Sequence, residues 1–424
     1  MEKFQPAKGT KDFLPEEADR VQLVCDTIRK VYEKYGFAPL DTPAFENFEL
    51  LSAKGAGESI RNEIYNFKDK GGRELGLRFD FTVPLGRVVA NNPNFPKPFK
   101  RYQIGKVWRY DNPQALRYRE FLQADIDTVG SSSMLADAEC VAAVCECMQT
   151  LGFKNFSVRV NNRKLLDEIF ESAGVPKEKI FDVFRIVDKM DKIGAEGVKA
   201  ELERAGFESK KILPVLKMDL EEIEKKFENS AGLKELKEFF KFSKALGTEK
   251  FLKFDISLVR GLDYYTGPVF EVMIGFVKVS CGSGGRYDNL VRAFGGQDLP
   301  ATGISIGVSR VVAVMEEEGL FKNFEQKKIF VAVVNDFVRG DAIKVCNKIR
   351  EVGKICSVDL TGKSLGKQME FASAGNFNFV VIVGPEEMKK NSVKVRDMKS
   401  GKEKVVKISD LEKLFLKTLS EIFI

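Results

Sequence analysis

Two stretches of alternating apolar and charged side chains, separated by a proline-bearing segment, restrict the possible folds of this chain most strongly. The first, KPFKRYQIGKVWRYD, ends at Asp111, and the second, REFLQADIDTVG, ends at Gly130. Successive side chains of a strand point to opposite faces, so each stretch predicts a strand with one apolar and one polar face. The segment 112–116 between them contains Pro113 and is typical of a turn. We therefore predict two neighbouring antiparallel strands.

The charges carried by these two strands are unusual for a sheet. Between positions 109 and 127 the basic and acidic side chains are Arg109, Arg117, Arg119, Asp111, Glu120, Asp125 and Asp127. Arginines that project from a sheet beside carboxylates could bind a phosphate and an ammonium group together. Alternatively, the charges form solvated cross-strand ion pairs, each worth at most about 1 kcal/mol. This segment alone leaves both interpretations open.

Length and composition indicate a globular protein of two or three domains. The chain has 424 residues, of which 44% are hydrophobic and 31% charged, as is usual for globular proteins. No run approaches the roughly 18 consecutive apolar residues of a membrane helix. The start, MEKFQPAKGTKDFLP, lacks the apolar stretch of a signal peptide. We therefore expect a cytoplasmic protein that does not enter a membrane.

The net charge of +6 is concentrated in the last quarter of the chain. From Lys327 onward there are 19 basic and 12 acidic residues, whereas the preceding part carries 49 basic and 50 acidic ones. A basic C-terminal part suggests a polyanionic partner such as nucleic acid. An ordinary lysine-rich surface would have the same composition, so charge alone does not decide between the two.

The N-terminal part predicts a helix followed by strands. Residues 16–35 repeat apolar positions at helical spacing and are followed by a glycine. The run FAPLDTPAF predicts an extended strand, which Pro43 suits to an edge or an interface. The run RELGLRFDFTVP predicts a strand with Asp80 and Thr82 on one face, because they are two residues apart. A helix should start after Pro84.

The remaining chain predicts two different folds in series. Residues from about 164 to 250 are helical and highly charged, which predicts a helical insertion within a domain spanning 1–325, and sheet-like sequence returns after it. Between 326 and 424, the apolar runs IFVAVV, ICSVDL and FVVIVG alternate with helical patterns. We therefore predict an α+β domain built on a mixed, mainly antiparallel sheet, followed by a small α/β domain.

Cysteine and histidine usage argues against a protein-held metal. Cys140, Cys145 and Cys147 fall in a helical run, and the chain contains no histidine. Helical spacing in a reducing compartment favours packing thiols over a metal site. We expect no metal ligand from protein histidine or cysteine.

Two further stretches carry polar residues suited to a nucleotide. The run LVRGLDYYTG brings Arg260, Tyr264 and Tyr265 into a strand and turn. The run ATGISIGVSRVV predicts a strand of small residues that opens a helix with Arg310, so that a nucleotide could lie close to the backbone. Each run alone is also compatible with a turn or a core feature. Together with RFDFTVP and the charged strand pair, they favour a binding site.

These stretches together resemble the class II aminoacyl-tRNA synthetases, and among them the histidyl-tRNA synthetase family. The runs that resemble class motifs 1, 2 and 3 are PLDTPAFENFELL, FKRYQIGKVWRYDNPQALRYREFLQADID and ATGISIGVSRVV. Two runs, RGLDYYTG and GSGGRYDNLV, resemble the signatures specific to the histidine enzymes, and KSLGKQMEFASAG resembles the C-terminal domain. The resemblance covers nearly the whole chain. It implies a class II catalytic domain over 1–325 and an anticodon-binding domain over 326–424.

The resemblance also implies roles for individual residues. Arg109 matches the arginine at the ATP α-phosphate, and Arg310 the one at the γ-phosphate. Arg260 matches the arginine beside the reacting carboxylate and the α-phosphate. The other residues matched to ATP, histidine or tRNA are Arg117 on the ATP side, Asp80, Thr82 and Gln123 at the ammonium group, Asp127 and Tyr265 at the imidazole nitrogens, Tyr264 in the pocket lining, and Gln114 at the tRNA acceptor end.

The implied activity joins histidine to tRNA(His) in two steps through histidyl-adenylate. It requires ATP, with Mg²⁺ held largely through the nucleotide, and the motif 1 resemblance implies a homodimer. Asp80 and Asp127 resemble the archaeal and eukaryotic members, whereas many bacterial members have glutamate there. The alternative is the related regulatory subunit of ATP phosphoribosyltransferase, which keeps this fold without aminoacylation. That subunit lacks the C-terminal domain and usually loses parts of the signatures that this sequence retains.

Overall fold

The computed structural model describes residues 4–52, 62–112, 118–259, 264–275, 280–324 and 326–416. The chain divides into two compact units, Met1–Phe321 and Lys322–Ile424. Each unit has its own sheet. No helix within the described ranges has the length and apolar character needed to cross a membrane.

The strands are short except for two. Their bounds are β1 Ala38–Pro39, β2 Phe45–Asn47, β3 Asn66–Lys68, β4 Glu74–Leu77, β5 Phe99–Trp108, β6 Glu120–Val129, β7 Phe156–Asn162, β8 Leu252–Phe254, β9 Pro268–Ile274, β10 Ser280–Arg286, β11 Ala301–Gly307, β12 Lys328–Val333, β13 Ile355–Val358, β14 Phe379–Val383, β15 Ser392–Asp397 and β16 Glu403–Lys407.

The helices cover the sheets and fill the segment between β7 and β8. Their bounds are α1 Pro15–Lys34, α2 Phe48–Leu51, α3 Thr82–Asn91, α4 Met134–Thr150, α5 Arg163–Ser172, α6 Ile180–Val187, α7 Met190–Arg204, α8 Ser209–Val215, α9 Leu220–Lys226, α10 Ala231–Ala245, α11 Leu290–Ala293, α12 Val308–Glu317, α13 Arg339–Glu351, α14 Leu365–Ala374, α15 Pro385–Lys389 and α16 Leu411–Leu416.

The large sheet of the first unit is mixed and mainly antiparallel, as predicted. Its strand order over the described residues is β1-β5-β6-β11-β10-β9-β7-β8. Only β1 with β5 and β7 with β8 run parallel among these neighbours. The predicted antiparallel pair is confirmed, with β5 and β6 in register from Phe99 opposite Val129 to Trp108 opposite Glu120. This pair forms the floor of the site described below.

The predicted N-terminal helix and extended segment are both present. Helix α1 ends just before Gly36, whose φ of 76° is a left-handed conformation that favours glycine at a helix end. The segment FAPLDTPAF contributes two short strands, β1 and β2, on either side of Pro43. Strand β1 contains Pro39 and lies at the edge of the large sheet. At an edge, the missing N–H of a proline can point away from the sheet and costs no hydrogen bond between strands.

One local prediction is wrong. Asp80 and Thr82 do not share a strand face, because β4 ends at Leu77 and helix α3 already begins at Thr82. The Asp80 carboxylate accepts a hydrogen bond from the backbone N–H of Val83 at 3.1 Å, which stabilises the start of the helix. The helix was predicted to start after Pro84, but Pro84 lies within the first turn of α3. A proline is tolerated in the first turn, because the N–H groups there have no hydrogen-bond partner within the helix.

Helix α4 is buried on nearly all sides. Its predicted packing cysteines, Cys140, Cys145 and Cys147, are buried free thiols. Burial raises the pKa of the Cys145 thiol to about 12, so it stays neutral and packs as a small apolar group. Helix α4 packs against β11 and α10, which fixes the back of the large sheet.

The second unit is a small α/β fold with a partly parallel sheet. Its strand order is β13-β12-β14-β15-β16, with β12 parallel to both β13 and β14. Strands β15 and β16 add an antiparallel edge. The core on one face of this sheet contains buried apolar side chains of β12, β14 and α13. The alternation of strands and helices predicted from the sequence is confirmed.

Candidate active site

The floor of the site is one face of β6. Gln123, Asp125 and Asp127 alternate along this strand, so their side chains share a face. Their register partners on β11 are Gly307, Ser305 and Gly303. These residues opposite the three polar side chains are small, which leaves space above the floor.

The neighbouring wall consists largely of main chain. A Cβ at Gly284 would overlap the carbonyl oxygen of Gly303, and a Cβ at Gly303 would overlap Oδ1 of Asp127. At Gly285 an added Cβ would lie 3.0 Å from Cδ1 of Tyr265. These contacts explain the glycines of this strand: a side chain at Gly284 or Gly285 would overlap the neighbouring strands or Tyr265.

Above the floor lies an acidic cavity of about 210 Å³. Most of the residues that the resemblance matched to histidine binding lie around it. The predicted residues that line it are Asp80, Thr82, Arg109, Gln123, Asp127, Tyr264 and Tyr265. Leu258, Val269 and Phe270 supply apolar surface. The cavity therefore suits a ligand that has an apolar body and polar groups at its ends.

Three carboxylates face or adjoin this cavity. Burial raises the pKa of Asp80 to about 6 and that of Asp125 to about 7, and it also raises the pKa of Asp127. The guanidinium group of Arg101 opposes this rise for all three. Its Nη2 lies 2.6 Å from Oδ2 of Asp127. A cationic ligand group bound beside these three carboxyl groups would favour their ionised forms and be stabilised by them.

Gln123 is oriented toward the cavity by a hydrogen bond on its far side. Its Nε2 donates to Oγ of Ser305 at 2.6 Å, and the Ser305 hydroxyl donates to Asp125. The amide oxygen of Gln123 is buried and has no hydrogen-bond partner within the described part of the chain. That oxygen is available to accept a hydrogen bond from a bound ammonium group.

Three tyrosines surround the inner end of the cavity. Tyr264 and Tyr265 have ring centroids 4.5 Å apart, and the Tyr264 hydroxyl donates to that of Tyr265 at 3.2 Å. Tyr287 donates to Oδ1 of Asp127. Burial raises the pKa of Tyr265 to about 12, so the hydroxyl stays protonated at neutral pH and can donate a hydrogen bond.

A second cavity of about 150 Å³ adjoins the first and is lined by cations. Arg109 and Arg310 both line it, as do Gly282 of β10 and Gly307 of β11. The predicted strand of small residues that opens an arginine-bearing helix is confirmed in β11 and α12. Nη1 of Arg310 donates to the carbonyl oxygen of Ser280 at 2.7 Å, which fixes the arginine beside the glycine-lined floor. A polyphosphate could bind here, because the arginines would neutralise its charge and the glycines would let it lie close to the main chain.

The two cavities share part of their lining. The residues common to both are Arg109, Gln123, Ser283 and Ser305. Nε of Arg109 donates to the carbonyl oxygen of Phe79 at 3.0 Å, and its guanidinium carbon lies 5.4 Å from the ring centroid of Phe121. The guanidinium group is therefore held at the junction, where groups bound in the two cavities would meet.

Three predicted site residues, Arg260, Arg117 and Gln114, lie outside the described residues. Four others that contact the site were not identified from the sequence: Arg101, Asp125, Tyr287 and Ser305. Asp125 could have been found, because the period of two that places Gln123 and Asp127 on one face places Asp125 between them. The remaining three come from other strands or loops, and only the strand pairing brings them to β6.

Comparison with known proteins identifies the family. A family model for histidyl-tRNA synthetase matches residues 9–311, and one for an anticodon-binding domain matches residues 328–418. The histidine–tRNA ligase of Nanoarchaeum equitans is 38% identical over 411 residues, which cover 96% of this chain and 98% of that protein. The catalytic and C-terminal parts therefore both have counterparts in one relative.

Solved structures agree with these matches. The crystal structure of histidyl-tRNA synthetase from Nostoc sp. PCC 7120 has a TM-score of 0.87 and 32% identity, covering 98% of this chain and 99% of that one. A Bacillus halodurans protein titled as an ATP phosphoribosyltransferase regulatory subunit/histidyl-tRNA synthetase has a TM-score of 0.75. At 22% identity, covering 90% of this chain and 99% of that one, this second likeness shows the fold alone.

The matches favour the synthetase over the regulatory subunit as the nearer kind of protein. The catalytic match, the C-terminal match and the full-length relative all agree with the resemblance that the sequence motifs suggested. The chain belongs to the histidyl-tRNA synthetase family of class II aminoacyl-tRNA synthetases.

Proposed function

We propose that this chain activates histidine with ATP and transfers the histidyl group to tRNA(His). One observation carries the proposal at the level of the site: an acidic cavity and a cationic cavity adjoin, and Arg109 lines both. Histidine in the first cavity and ATP in the second would bring the carboxylate and the α-phosphate together at that arginine.

In the acidic cavity, the proposed ligands divide between the two ends of histidine. Asp80, Thr82 and Gln123 bind the ammonium group, which is supported by the unpaired amide oxygen of Gln123 among the described residues. Asp127 and Tyr265 bind the imidazole nitrogens, one as a carboxylate acceptor and the other as a hydroxyl. Tyr264 packs beside them. A pocket that hydrogen-bonds a polar side chain strongly disfavours analogues that lack those groups.

In the cationic cavity, the proposed ligands neutralise ATP. Arg109 binds the α-phosphate, Arg310 the γ-phosphate, and Arg117 contributes on the ATP side. Arg260 acts at the reacting carboxylate and the α-phosphate. The last two assignments rest on the motif resemblance, because both residues lie outside the described ranges.

Activation on this arrangement requires no general base. The carboxylate of histidine is already ionised, so its oxygen attacks the α-phosphorus directly, forming histidyl-adenylate and releasing pyrophosphate. The chain contributes in-line positioning and neutralisation of charge on the phosphate oxygens. A terminal ribose hydroxyl of the tRNA then attacks the carbonyl carbon of the adenylate, and AMP leaves.

Mg²⁺ enters this proposal as a partner of the ATP phosphates. The described residues contain no group of three or more histidine, cysteine, aspartate or glutamate side chains placed to hold a metal ion. Asp111 is the only acidic side chain that lines the described part of the cationic cavity. In the proposal the ion is carried by ATP itself, since Mg²⁺ is usually bound through substrate phosphates and one or two carboxylates.

The second unit is the proposed anticodon-binding domain, with residues 326–424 as its bounds. Two apolar side chains, Phe337 and Leu360, are 95% and 88% exposed beyond the carboxyl ends of the adjacent strands β12 and β13. Unstacked bases of an RNA loop bind to such surfaces by stacking and apolar contact. At the acceptor end, Gln114 is the proposed contact.

Two further expectations belong to this proposal. A homodimer is supported by Phe45 and Phe67, which are half exposed on the three-stranded sheet β2-β4-β3 next to the motif 1 segment. A reducing, cytoplasmic location is proposed because the tRNA and ATP that the reaction requires are present there.

The activity is tested by ATP–pyrophosphate exchange measured with and without histidine, followed by charging of tRNA(His). We expect exchange that depends on histidine, and charging of this tRNA in preference to others. A chain that binds histidine but shows neither reaction would be a regulatory subunit, and the proposal would be abandoned.

Gly303→Ala is expected to raise the KM for histidine by about a hundredfold, because the added methyl group would displace the Asp127 carboxylate. The measurement is the histidine dependence of pyrophosphate exchange. Gly366→Ala is the matched control, since nothing lies within 4 Å of a Cβ at that helical position. Equal KM values in the two variants would remove Gly303 and the Asp127 geometry from the histidine site.

A further inference from the structure

We propose that Arg101 is a positioning residue for histidine, joining the part of the pocket that binds the imidazole ring to the part that binds the ammonium group. The inference rests on the proposed roles of Asp80, Thr82 and Asp127. Arg101 does not line the described cavity, and although it lies in the run that resembles motif 2, the resemblance assigned it no role. Its role would be carried out through the residues that do contact histidine.

The geometry places Arg101 between the two ends of the pocket. Its side chain is fully buried, with 0% exposed, and its Cα is the register partner of Asp127 across β5 and β6. Nη2 lies 2.6 Å from Oδ2 of Asp127 and donates to the carbonyl oxygen of Phe81 at 3.1 Å. Phe81 stands between Asp80 and Thr82, so one guanidinium group holds both the carboxylate and the loop.

The loop from β4 to α3 is held at two points by arginines. Arg101 binds the carbonyl oxygen of Phe81, and Arg109 binds that of Phe79. Asp80 lies between these two anchored peptides. Arg109 binds the peptide before Asp80, whereas Arg101 binds the peptide after it and also contacts Asp127, so of the two only Arg101 links the loop to Asp127.

The Asp127 carboxylate is held from both of its oxygens. Tyr287 donates to Oδ1, and Arg101 approaches Oδ2. The backbone of Gly303 lies directly against Oδ1. These contacts restrain the carboxylate, and Oδ2, which accepts no hydrogen bond within the described residues, is left to accept one from an imidazole N–H.

The charge of Arg101 is as important as its geometry. Burial raises the pKa of Asp127 and Arg101 opposes that rise, while the charge of Asp127 raises the pKa of Asp80 and of Asp125. The groups that face Asp127 from the surrounding elements are Arg101 on β5, Asp125 on β6, Asp80 before α3, Tyr265 before β9, Tyr287 after β10, Cys140 on α4 and Tyr32 on α1. Arg101 is the one cation among these groups of the described part of the chain.

Loss of that cation would favour protonation of Asp127. A protonated carboxyl group has fewer acceptor positions and binds an imidazole N–H less well. Its ionised form would return only as the pH rises through the raised pKa of Asp127. A variant without this cation should therefore bind histidine better at high pH than at neutral pH, relative to the unsubstituted protein in the same buffers.

The experiment compares the histidine dependence of pyrophosphate exchange in three variants between about pH 6.5 and about pH 9. Arg101→Met removes the charge, Arg101→Lys keeps the charge but lacks the planar fork, and the third variant combines Arg101→Met with Asp125→Asn. The unsubstituted protein at each pH corrects for titration of histidine itself. Asp127→Asn serves as the reference for the imidazole contact.

We expect Arg101→Met to raise the KM for histidine by about a hundredfold near pH 7, with about tenfold recovery toward pH 9 and a kcat within about tenfold of normal. Arg101→Lys should raise KM by about tenfold at every pH, because the shorter side chain must replace Nη2, the nitrogen that contacts both Asp127 and the carbonyl oxygen of Phe81. Adding Asp125→Asn to Arg101→Met should lower KM near pH 7, because the mutual repulsion of the two carboxylates, which raises the pKa of Asp125, is removed.

A KM that rises equally at all pH values in Arg101→Met, with no improvement from Asp125→Asn, would overturn the proposed charge effect and leave only a packing role. If Arg101→Met does not fold, an unchanged KM in Arg101→Lys would overturn the two-partner link. An unchanged KM in Asp127→Asn would instead remove the imidazole assignment of Asp127, and with it the proposed function of that residue.

Discussion

Replacing Arg109 with alanine is expected to slow histidine-dependent pyrophosphate exchange by about a thousandfold, with a change of less than about tenfold in the Kd for histidine. Arg109 lines both cavities and is fixed by its bond to the carbonyl oxygen of Phe79. Its charge would therefore act where negative charge is redistributed as the carboxylate attacks the α-phosphorus. Histidine would still be held by the floor of the acidic cavity, so binding should change much less than turnover.

Exchange rates at saturating substrates and equilibrium dialysis of histidine together measure the two quantities. Arg73→Ala is a suitable control, because Arg73 is largely exposed on the turn before β4 and pairs only with nearby Asp69 among the ion pairs described. A loss of histidine affinity as large as the loss of turnover would mean that Arg109 holds the pocket together instead of acting on the phosphate.

Removing residues 326–424 is expected to leave histidine-dependent exchange within about tenfold of normal and to reduce tRNA charging by at least about a hundredfold. Each unit has its own sheet, and both cavities are lined by residues of the first unit alone. The second unit carries the surplus of basic residues and matches an anticodon-binding domain. Activation and tRNA binding should therefore separate.

Thermal unfolding of the shortened chain shows whether the first unit remains folded. A point substitution gives a milder version of the same test: Phe337→Ala should weaken charging through the KM for tRNA, whereas Val405→Ala, exposed on strand β16, should not. A folded first unit that loses exchange and charging together would contradict the separation of the two steps.

Strand pairing near the site could be predicted because its causes are local. Strands β5 and β6 are each ten residues long, apolar and polar side chains alternate through their central residues, and the two strands are close in sequence. The small-residue strand β11 followed by an arginine-bearing helix was recognised for the same reason. In both cases the side-chain period and the turn between elements are visible in one short run.

The position of Asp80 could not be predicted by the same logic. A spacing of two residues puts side chains on one face only if the strand continues, and here β4 ends before Asp80. The carboxylate instead stabilises the start of α3. Asp80 and Thr82 still line one cavity because the loop brings them there, which depends on the distant residues Arg101 and Arg109.

The pocket walls formed by glycine main chain limit how amino-acid selectivity could be redesigned. A wall made of side chains can be moved back by shortening them, whereas the main chain at Gly284 and Gly303 cannot be shortened, and every substitution there makes the pocket smaller. Selection for a bulkier noncognate amino acid would have to start from the apolar wall at Leu258 and Val269. Mutational libraries centred on the glycine run would return mainly inactive clones. Natural substitutions at these positions would likewise be inactivating.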